Sequence, residues 1–290
     1  MQSQLVFGEK KEMQRLRLQN RLLSGYEAPM FAQIFSEKND IAALDIGSND
    51  GTKTVERFSS EAVKTVIGLE YNPALVIRAQ KKHENGRFSF YPCDVEADDF
   101  SENLRMWMKE KDLRGFDMIY LSFVLMHLSD VPKLLRTLRP FLKEDGKLLI
   151  IEANDGVSTL NGDKGGLLGE FLEILKSDKY SGNREMGRNL CGLLRESGYD
   201  GIHIWHDSIS AGEGETEKKK AIFTTFFSYL PEDIALLLAA EPENPEYKAW
   251  SDWIDQNYQA LRRLIMGENS VISMGMQILT CMKGTESNEA

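Results

Sequence analysis

The stretch Ala42-Ala43-Leu44-Asp45-Ile46-Gly47-Ser48-Asn49-Asp50-Gly51-Thr52 constrains this chain more than any other. A short apolar run gives way to an acid and two glycines, and a helix-like segment then starts at a small polar residue. An apolar run of that length bounded by glycine is the pattern of a strand buried on both faces, which belongs in a parallel sheet. Gly47 and Gly51 carry no Cβ, so the backbone can turn tightly there and come close to a ligand. The predicted unit is strand, turn and helix, with the ligand at the strand's carboxyl end.

Asp45 narrows the ligand. The dinucleotide fingerprint is G-x-G-x-x-G, whereas the spacing here is D-x-G-x-x-x-G, with Asn49 where a middle glycine often stands. A carboxylate at the strand end would repel pyrophosphate and suits a ligand bearing a cation, such as the amino group of a methionine moiety. Taken alone, the turn also fits a βα connection in some other α/β protein. These residues resemble motif I of the class I S-adenosylmethionine-dependent methyltransferases. The resemblance implies that Asp45, Gly47, Ser48, Asn49 and Gly51 bind S-adenosyl-L-methionine, with S-adenosyl-L-homocysteine as product.

Three further pieces follow in the order of that family. Thr65-Val66-Ile67-Gly68-Leu69-Glu70 is a second buried-strand pattern ending in an acid, where a carboxylate can accept both ribose hydroxyls. Arg87 to Val95 alternates as a third strand and delivers Asp94. By itself Asp94 reads as a capping or solvated acid; in register with Asp45 and Glu70 the resemblance makes it the contact for the adenine amine, and Tyr71 and Val95 are placed beside these two acids. Phe116 to Leu128 then runs apolar into the site, where the resemblance adds Leu121 and Ser122 to the cofactor contacts. A helix starts after Ser129-Asp130-Val131-Pro132, Glu144-Asp145-Gly146 turns the chain, and Lys147 to Glu152 is the fifth strand. The match covers residues 41 to 152.

The expected fold is α/β, a Rossmann-like seven-stranded mixed sheet with helices on both faces. Residues 1–40 form an N-terminal helical cap, 41–210 the cofactor-binding core, 211–269 a helical insertion or lid, and 270–290 the last core strand and tail. In the cap, Met13, Leu16, Leu22 and Leu23 roughly share one face, and Lys10, Lys11, Arg15, Arg17 and Arg21 dominate the others. That charge run is ordinarily a solvated face; as a cap over the cofactor it would bring Tyr26 or Arg21 near the ligand. Leu167 to Lys176, Met186 to Ser197, Lys218 to Ala240 and Tyr247 to Met266 read as helices, the last two separated by Pro242-Glu243-Asn244-Pro245. Gly201 to His206 alternates as a sixth strand and Met276 to Met282 as a seventh. An insertion of this size is a folded lid or dimer element rather than a loose loop. Its aromatics, Phe223, Phe226, Phe227, Tyr229, Tyr247, Trp250, Trp253 and Tyr258, form either its own small core or the wall of an apolar pocket.

Composition limits the partners. With 35 Lys and Arg against 45 Asp and Glu the formal charge is −10, which argues against nucleic acid, whose binding relies on an excess of basic residues. No Asn-Pro-Pro-Tyr-type element follows the fourth strand, where Leu121-Ser122-Phe123-Val124 stands, so methylation of nucleobase amines is disfavoured. Cys93, Cys191 and Cys281 are far apart, show no metal spacing and fit a reduced, cytoplasmic protein. No His, Asp and Glu cluster has ligand spacing, so no metal is expected. No apolar stretch reads as long enough to span a bilayer, and no signal peptide is apparent.

Methyl transfer needs a nucleophile aligned with the methyl group, exclusion of water and, for an acidic nucleophile, a base. His127 is the first candidate base, because an imidazole titrates near neutrality; Glu152 is the second, as base or hydrogen-bond acceptor. Arg184 and Arg188 are candidates to bind a substrate carboxylate, with Tyr26 a further substrate contact. The expected function is methyl transfer to O, N or C of a small-molecule acceptor by a monomer or homodimer. Protein or RNA methylation, or a non-catalytic cofactor- or partner-binding protein on the same fold, stand as alternatives.

Overall fold

The computed structural model describes residues 10–284, which fall into two compact units. Among the described residues, the sheet unit comprises Gly25–Glu152, Met186–His206 and 277–284; the helical unit comprises 10–24, Ala153–Glu185 and Asp207–Met276. These units cut across the four expected segments. The cap divides at Ser24, and the chain leaving the fifth strand belongs with the helical unit.

In the sheet unit the apolar runs become strands. β1 (Ile41–Ile46) is buried along its whole length and pairs in parallel with β2 (Val63–Glu70) and β4 (Phe116–Ser122), with Ala43 opposite Val66 on one side and Met118 on the other. β3 (Phe88–Pro92) lies outside β2, and β5 (Leu142–Ala153) outside β4, both in parallel. The eight-stranded order runs β3-β2-β1-β4-β5-β8 and on to β6, with β7 (Tyr199–Ala211) paired to β8 (Ile272–Lys283). The eighth strand, beyond the seven expected, is β6 (Thr159–Leu160), a two-residue piece that pairs antiparallel with Ile272 and Ser273. Glu144-Asp145-Gly146 proves to be an irregularity inside β5, where the register shifts between Phe116 and Met118, and not a turn before it.

The crossovers are short helices: α2 (Thr52–Arg57), α3 (Pro73–His83), α4 (Phe100–Glu110) and α5 (Val131–Leu138). Asp130 caps α5 by accepting from Lys133 N at 2.9 Å, with Pro132 in its first turn, as the sequence predicts. Ahead of the sheet, α1 (Lys10–Glu37) is one 28-residue helix. It runs through Pro29, which has no N–H to offer the carbonyl of Gly25, and the boundary between the two units falls at that weakened turn.

In the helical unit, α6 (Leu167–Ser177) agrees with expectation, and α7 (Met186–Glu196) does so in the sheet unit. The single helix expected over Lys218 to Ala240 is instead two, α8 (Thr216–Phe226) and α9 (Leu230–Ala240). Pro231 is the cause: it cannot donate to the turn behind it and so starts a new helix. The stretch Thr216–Ala240 is nonetheless long and apolar enough to cross a membrane, which corrects the reading that no such stretch exists. Half of it is buried within the protein, as in a core helix. α10 (Pro245–Ile265) completes the unit and packs on α6, α8 and α9. Among the aromatics, Phe171, Phe223 and Phe227 are buried, with Phe171 and Phe227 rings 4.7 Å apart, so these residues build the unit's own core. Lys219, only 2% exposed, reaches the carbonyls of Gly267 (2.7 Å) and Glu268 (3.2 Å) beyond the end of α10.

Candidate active site

The turn after β1 is pinned to β2. Gly47 N and Ser48 N both donate to the carbonyl of Leu69, at 2.8 and 2.9 Å, and Gly51 N returns to Ser48 O. Gly47 and Gly51 both have positive φ, 79° and 75°, and their missing Cβ atoms matter as well. A Cβ on Gly47 would lie 2.5 Å from Val124 Cγ2, and one on Gly51 2.8 Å from the Phe90 ring. The space the glycines leave is filled by the protein's own side chains, where the sequence reading assigned it to a ligand. Asn49 also sits at positive φ, 51°, a conformation its short polar side chain tolerates.

Glu70, at the end of β2, closes this turn. One carboxylate oxygen accepts from Asn49 N at 3.0 Å and the other from Asn72 N at 2.9 Å. Burial raises its pKa, and these backbone donors oppose the shift. The backbone of Tyr71 is a third donor to this carboxylate, which has about four acceptor directions in all. Tyr71 next to it is exposed. Beyond β3, Asp94 is exposed and accepts from Glu96 N at 3.0 Å, forming a local turn, with Val95 half-buried beside it.

Asp45 does not face outward as a bare charge. It is 3% exposed, and Thr54 Oγ1 donates to it at 2.5 Å. Burial pushes its pKa up to about 7, against the hydrogen bond from Thr54 and the charge of Lys53. The carboxyl is therefore poised between its two charge states near neutrality.

After β4 the chain bends sharply. Phe123, at positive φ (55°), donates from its N–H to Ile151 O at 2.8 Å. Such a backbone costs a bulky residue about 1–2 kcal/mol, which the surrounding bonds must offset. Those bonds come from Glu152: fully buried at the end of β5, it accepts from Val124 N (3.0 Å) and Leu125 N (2.6 Å). Glu152 thus holds the loop that ends in the short turn Leu125–His127, and His127 stands exposed on it. Leu121 is buried in the core and Ser122 is half-buried, its hydroxyl accepting from Lys53.

The predicted substrate residues separate. Tyr26 lies on α1 in the sheet unit, its ring edge-on to His206 at 5.3 Å, whereas Arg21 is exposed in the helical unit's part of that helix. Arg184, in the helical unit, is 7% exposed and forks onto Asp155 through Nε (2.8 Å) and Nη2 (3.0 Å). A substrate carboxylate would have to displace Asp155. Arg188 is exposed on α7, which packs on α5 in the sheet unit.

Sequence reasoning missed Glu27. It lies on α1 beyond the charged run, alone among uncharged residues, yet it is fully buried and receives Lys53 (3.0 Å), Arg57 Nε and the hydroxyl of Tyr120 (2.6 Å). The signals available were Lys53 and Arg57, four apart on one face of α2 beside the glycine turn, but no spacing connects them to position 27.

Residues 44–148 match a family model described as a methyltransferase domain. The chain carries a methyltransferase domain. Over 220 residues, 73% of the chain, the sequence is 24% identical to a highly reducing polyketide synthase of Gibberella fujikuroi; the chain spans 8% of that relative's length. Two solved structures share the fold at a TM-score of 0.51. The YcgJ protein of Bacillus subtilis is 18% identical, with 90% of this chain and 99% of that one covered. A protein assigned as a methyltransferase from Bacillus halodurans is 14% identical, with 88% and 99% covered.

Proposed function

We propose that this protein transfers the methyl group of S-adenosylmethionine to O, N or C of a small-molecule acceptor. The observation that carries this reading is Glu70, whose carboxylate ties the glycine turn after β1 to the end of β2 and has acceptor capacity beyond its backbone donors. The residues fit the cofactor on a second count: the Oγ of Ser48 is buried in that turn without a hydrogen-bond partner among the described residues, and buried polar atoms ordinarily have one. Glu70 would hold the ribose hydroxyls, Asp94 with Val95 the adenine, and the Gly47–Gly51 turn with Ser122 the methionine end.

The cofactor supplies an electrophilic methyl group on a sulfonium and leaves as S-adenosylhomocysteine. The chain's part is to place the acceptor and keep water out. His127, on a loop that Glu152 holds through two backbone N–H groups, would be the group that takes a proton from an acidic acceptor. Glu152 itself, buried and engaged with two backbone N–H groups, serves as the positioning residue for that loop. A small acceptor agrees with the net charge of −10, which disfavours RNA, and with the matched relative, whose name is that of a synthase of small molecules.

Calorimetric titration with S-adenosylmethionine and S-adenosylhomocysteine tests the cofactor. Binding that Glu70→Ala weakens tenfold or more, about 1.4 kcal/mol, supports it, and acceptor screening by methyl transfer follows, with His127→Ala as the test of the base. Absence of binding to well-folded protein overturns the reading.

A further inference from the structure

The sheet unit has a second concave feature, at the end of the sheet opposite the glycine turn. A cleft of about 390 Å³ lies between the last turn of α4, the turn that follows it and the residues just ahead of β5. Arg105, Lys109, Asp112 and Arg114 line it, with Met108 and Phe141 among its apolar walls. Arg114 and Phe141 come just before β4 and β5, so the cleft sits at the amino ends of these strands. Seven residues of β4 separate it from Ser122, about 20 Å of extended chain, and no single small ligand reaches both ends.

The cations of this cleft lack counter-ions. Among the described residues, no acid stands within ion-pair distance of Arg105, Lys109 or Arg114. Arg105 lies instead over the Phe141 ring, 5.2 Å from its centroid. Other cations at the same end of the sheet are paired: Lys38 and Lys143 reach Asp117 at 3.4 and 2.7 Å, and Lys38 also reaches Asp145 at 2.7 Å. Basic side chains near a helix C-terminus commonly serve its last carbonyls, but backbone already does so here. Leu113 N donates to Met108 O at 2.9 Å and Asp112 N to Lys109 O at 3.2 Å, with Asp112 at φ 54°, the pairing of a Schellman cap.

Three cations against one acid leave the cleft with a surplus of two positive charges, in a chain whose formal charge is −10. A phosphate monoester carries about −1.5 to −2 at neutral pH and offers three acceptor oxygens, which guanidinium groups bind in pairs. We propose that this cleft is a second binding site, and that it takes a small phosphate monoester with an apolar body. Arg105, Lys109 and Arg114 hold the phosphate, and Met108 and Phe141 receive the apolar part. One exposed cation alone would hold an anion weakly; three around one cleft with an apolar wall supply both charge and desolvated contact. The volume suits a small molecule, and the negative charge of the rest of the chain opposes a long polyanion. This site is separate from the cofactor reading and does not rest on it.

Calorimetric titration of the full chain with phenyl phosphate and with inorganic phosphate tests the proposal. Wild-type protein is expected to bind phenyl phosphate about tenfold more tightly than inorganic phosphate. The double variant Arg105→Gln/Arg114→Gln, checked for folding by urea denaturation, is expected to bind it about tenfold more weakly than wild type. Lys81→Gln, which removes an exposed cation on α3 outside the cleft, should stay within about twofold of wild type, as should wild type saturated with S-adenosylhomocysteine. Failure of wild type to bind phenyl phosphate overturns the proposal, and so does unchanged binding in the folded double variant. Equal affinity for inorganic phosphate removes the apolar wall from the site and overturns the organic ligand. Equal weakening by Lys81→Gln would reduce the effect to overall charge, and displacement by S-adenosylhomocysteine would move the phosphate to the cofactor site; either result overturns the proposal.

Discussion

Each unit of this protein buries an ionic cluster, and the two are wired differently. In the sheet unit one acid, Glu27, is bonded by two cations and a phenol; burial pushes its pKa up, but Lys53 and Arg57 more than offset this and hold it below the usual carboxylate range. In the helical unit Arg15 and Arg184 each have an acid of their own. Arg15 bonds Glu12 through Nε (2.7 Å) and Nη2 (2.6 Å) and the Thr225 carbonyl through Nη1 (2.8 Å), while Arg184 forks onto Asp155. Asp233 is left facing Asp178 and Glu12, with Arg15 already engaged, and burial together with these acids pushes its pKa up to about 7. Both acids are buried, 0% and 5% exposed. The difference is the number of cations within reach, and that number decides which acid stays charged.

Four substitutions would break or sharpen this contrast. The largest effect is expected for Glu27→Ala, which strands two buried cations and should cost about 3–5 kcal/mol in urea unfolding. A loss below about 1 kcal/mol would mean that the cluster contributes little to the sheet unit. Arg184→Ala, which leaves Asp155 buried without its partner, should cost about 3 kcal/mol by the same measurement; a neutral outcome would show that water reaches Asp155 freely.

A smaller penalty is expected at the turn. Gly47→Ala meets both a positive φ and Val124, and should lose about 1–2 kcal/mol. Repeating it in a Val124→Ala background should recover part of the loss, and no recovery would assign the whole penalty to the backbone. No loss of stability at neutral pH is expected for Asp233→Asn. An acid whose folded pKa is raised favours folding most below its unfolded value near 4 and loses that contribution as pH rises through about 7. The variant, neutral at every pH, should therefore match wild type near pH 4, exceed it in melting temperature at pH 7 and show a flatter decline between pH 4 and 7. Parallel declines would show that Asp233 does not titrate in that range.

The strands from β1 to β5 were legible because a strand buried on both faces must be a run of apolar side chains, and such a run marks itself. The glycine turn was legible for a related reason: positive φ at Gly47 and Gly51 excludes most other residues. The start of α5 could also be read, from Asp130 and Pro132. The break between α8 and α9 was signalled by Pro231 but hidden by apolar residues on both sides of it, which read as one continuous helix. At the site the residue types were legible and their bonding was not. Asp45 and Glu152 were read as acids that face a ligand, yet one is held by Thr54 and the other by two backbone N–H groups. Arg184 was read as a free cation, yet it is paired with Asp155.

By itself, then, the sequence determined the order of the strands along the chain, the position of the turn and the acids that follow it, because these depend on sterics and apolar periodicity over a few neighbouring residues. Only the tertiary structure decided which acids are charged and which cations are engaged. Glu27 meets Lys53 and Tyr120 across long separations in sequence, and a buried group's charge is set by what lies within a few ångströms of it, wherever in the chain that neighbour comes from.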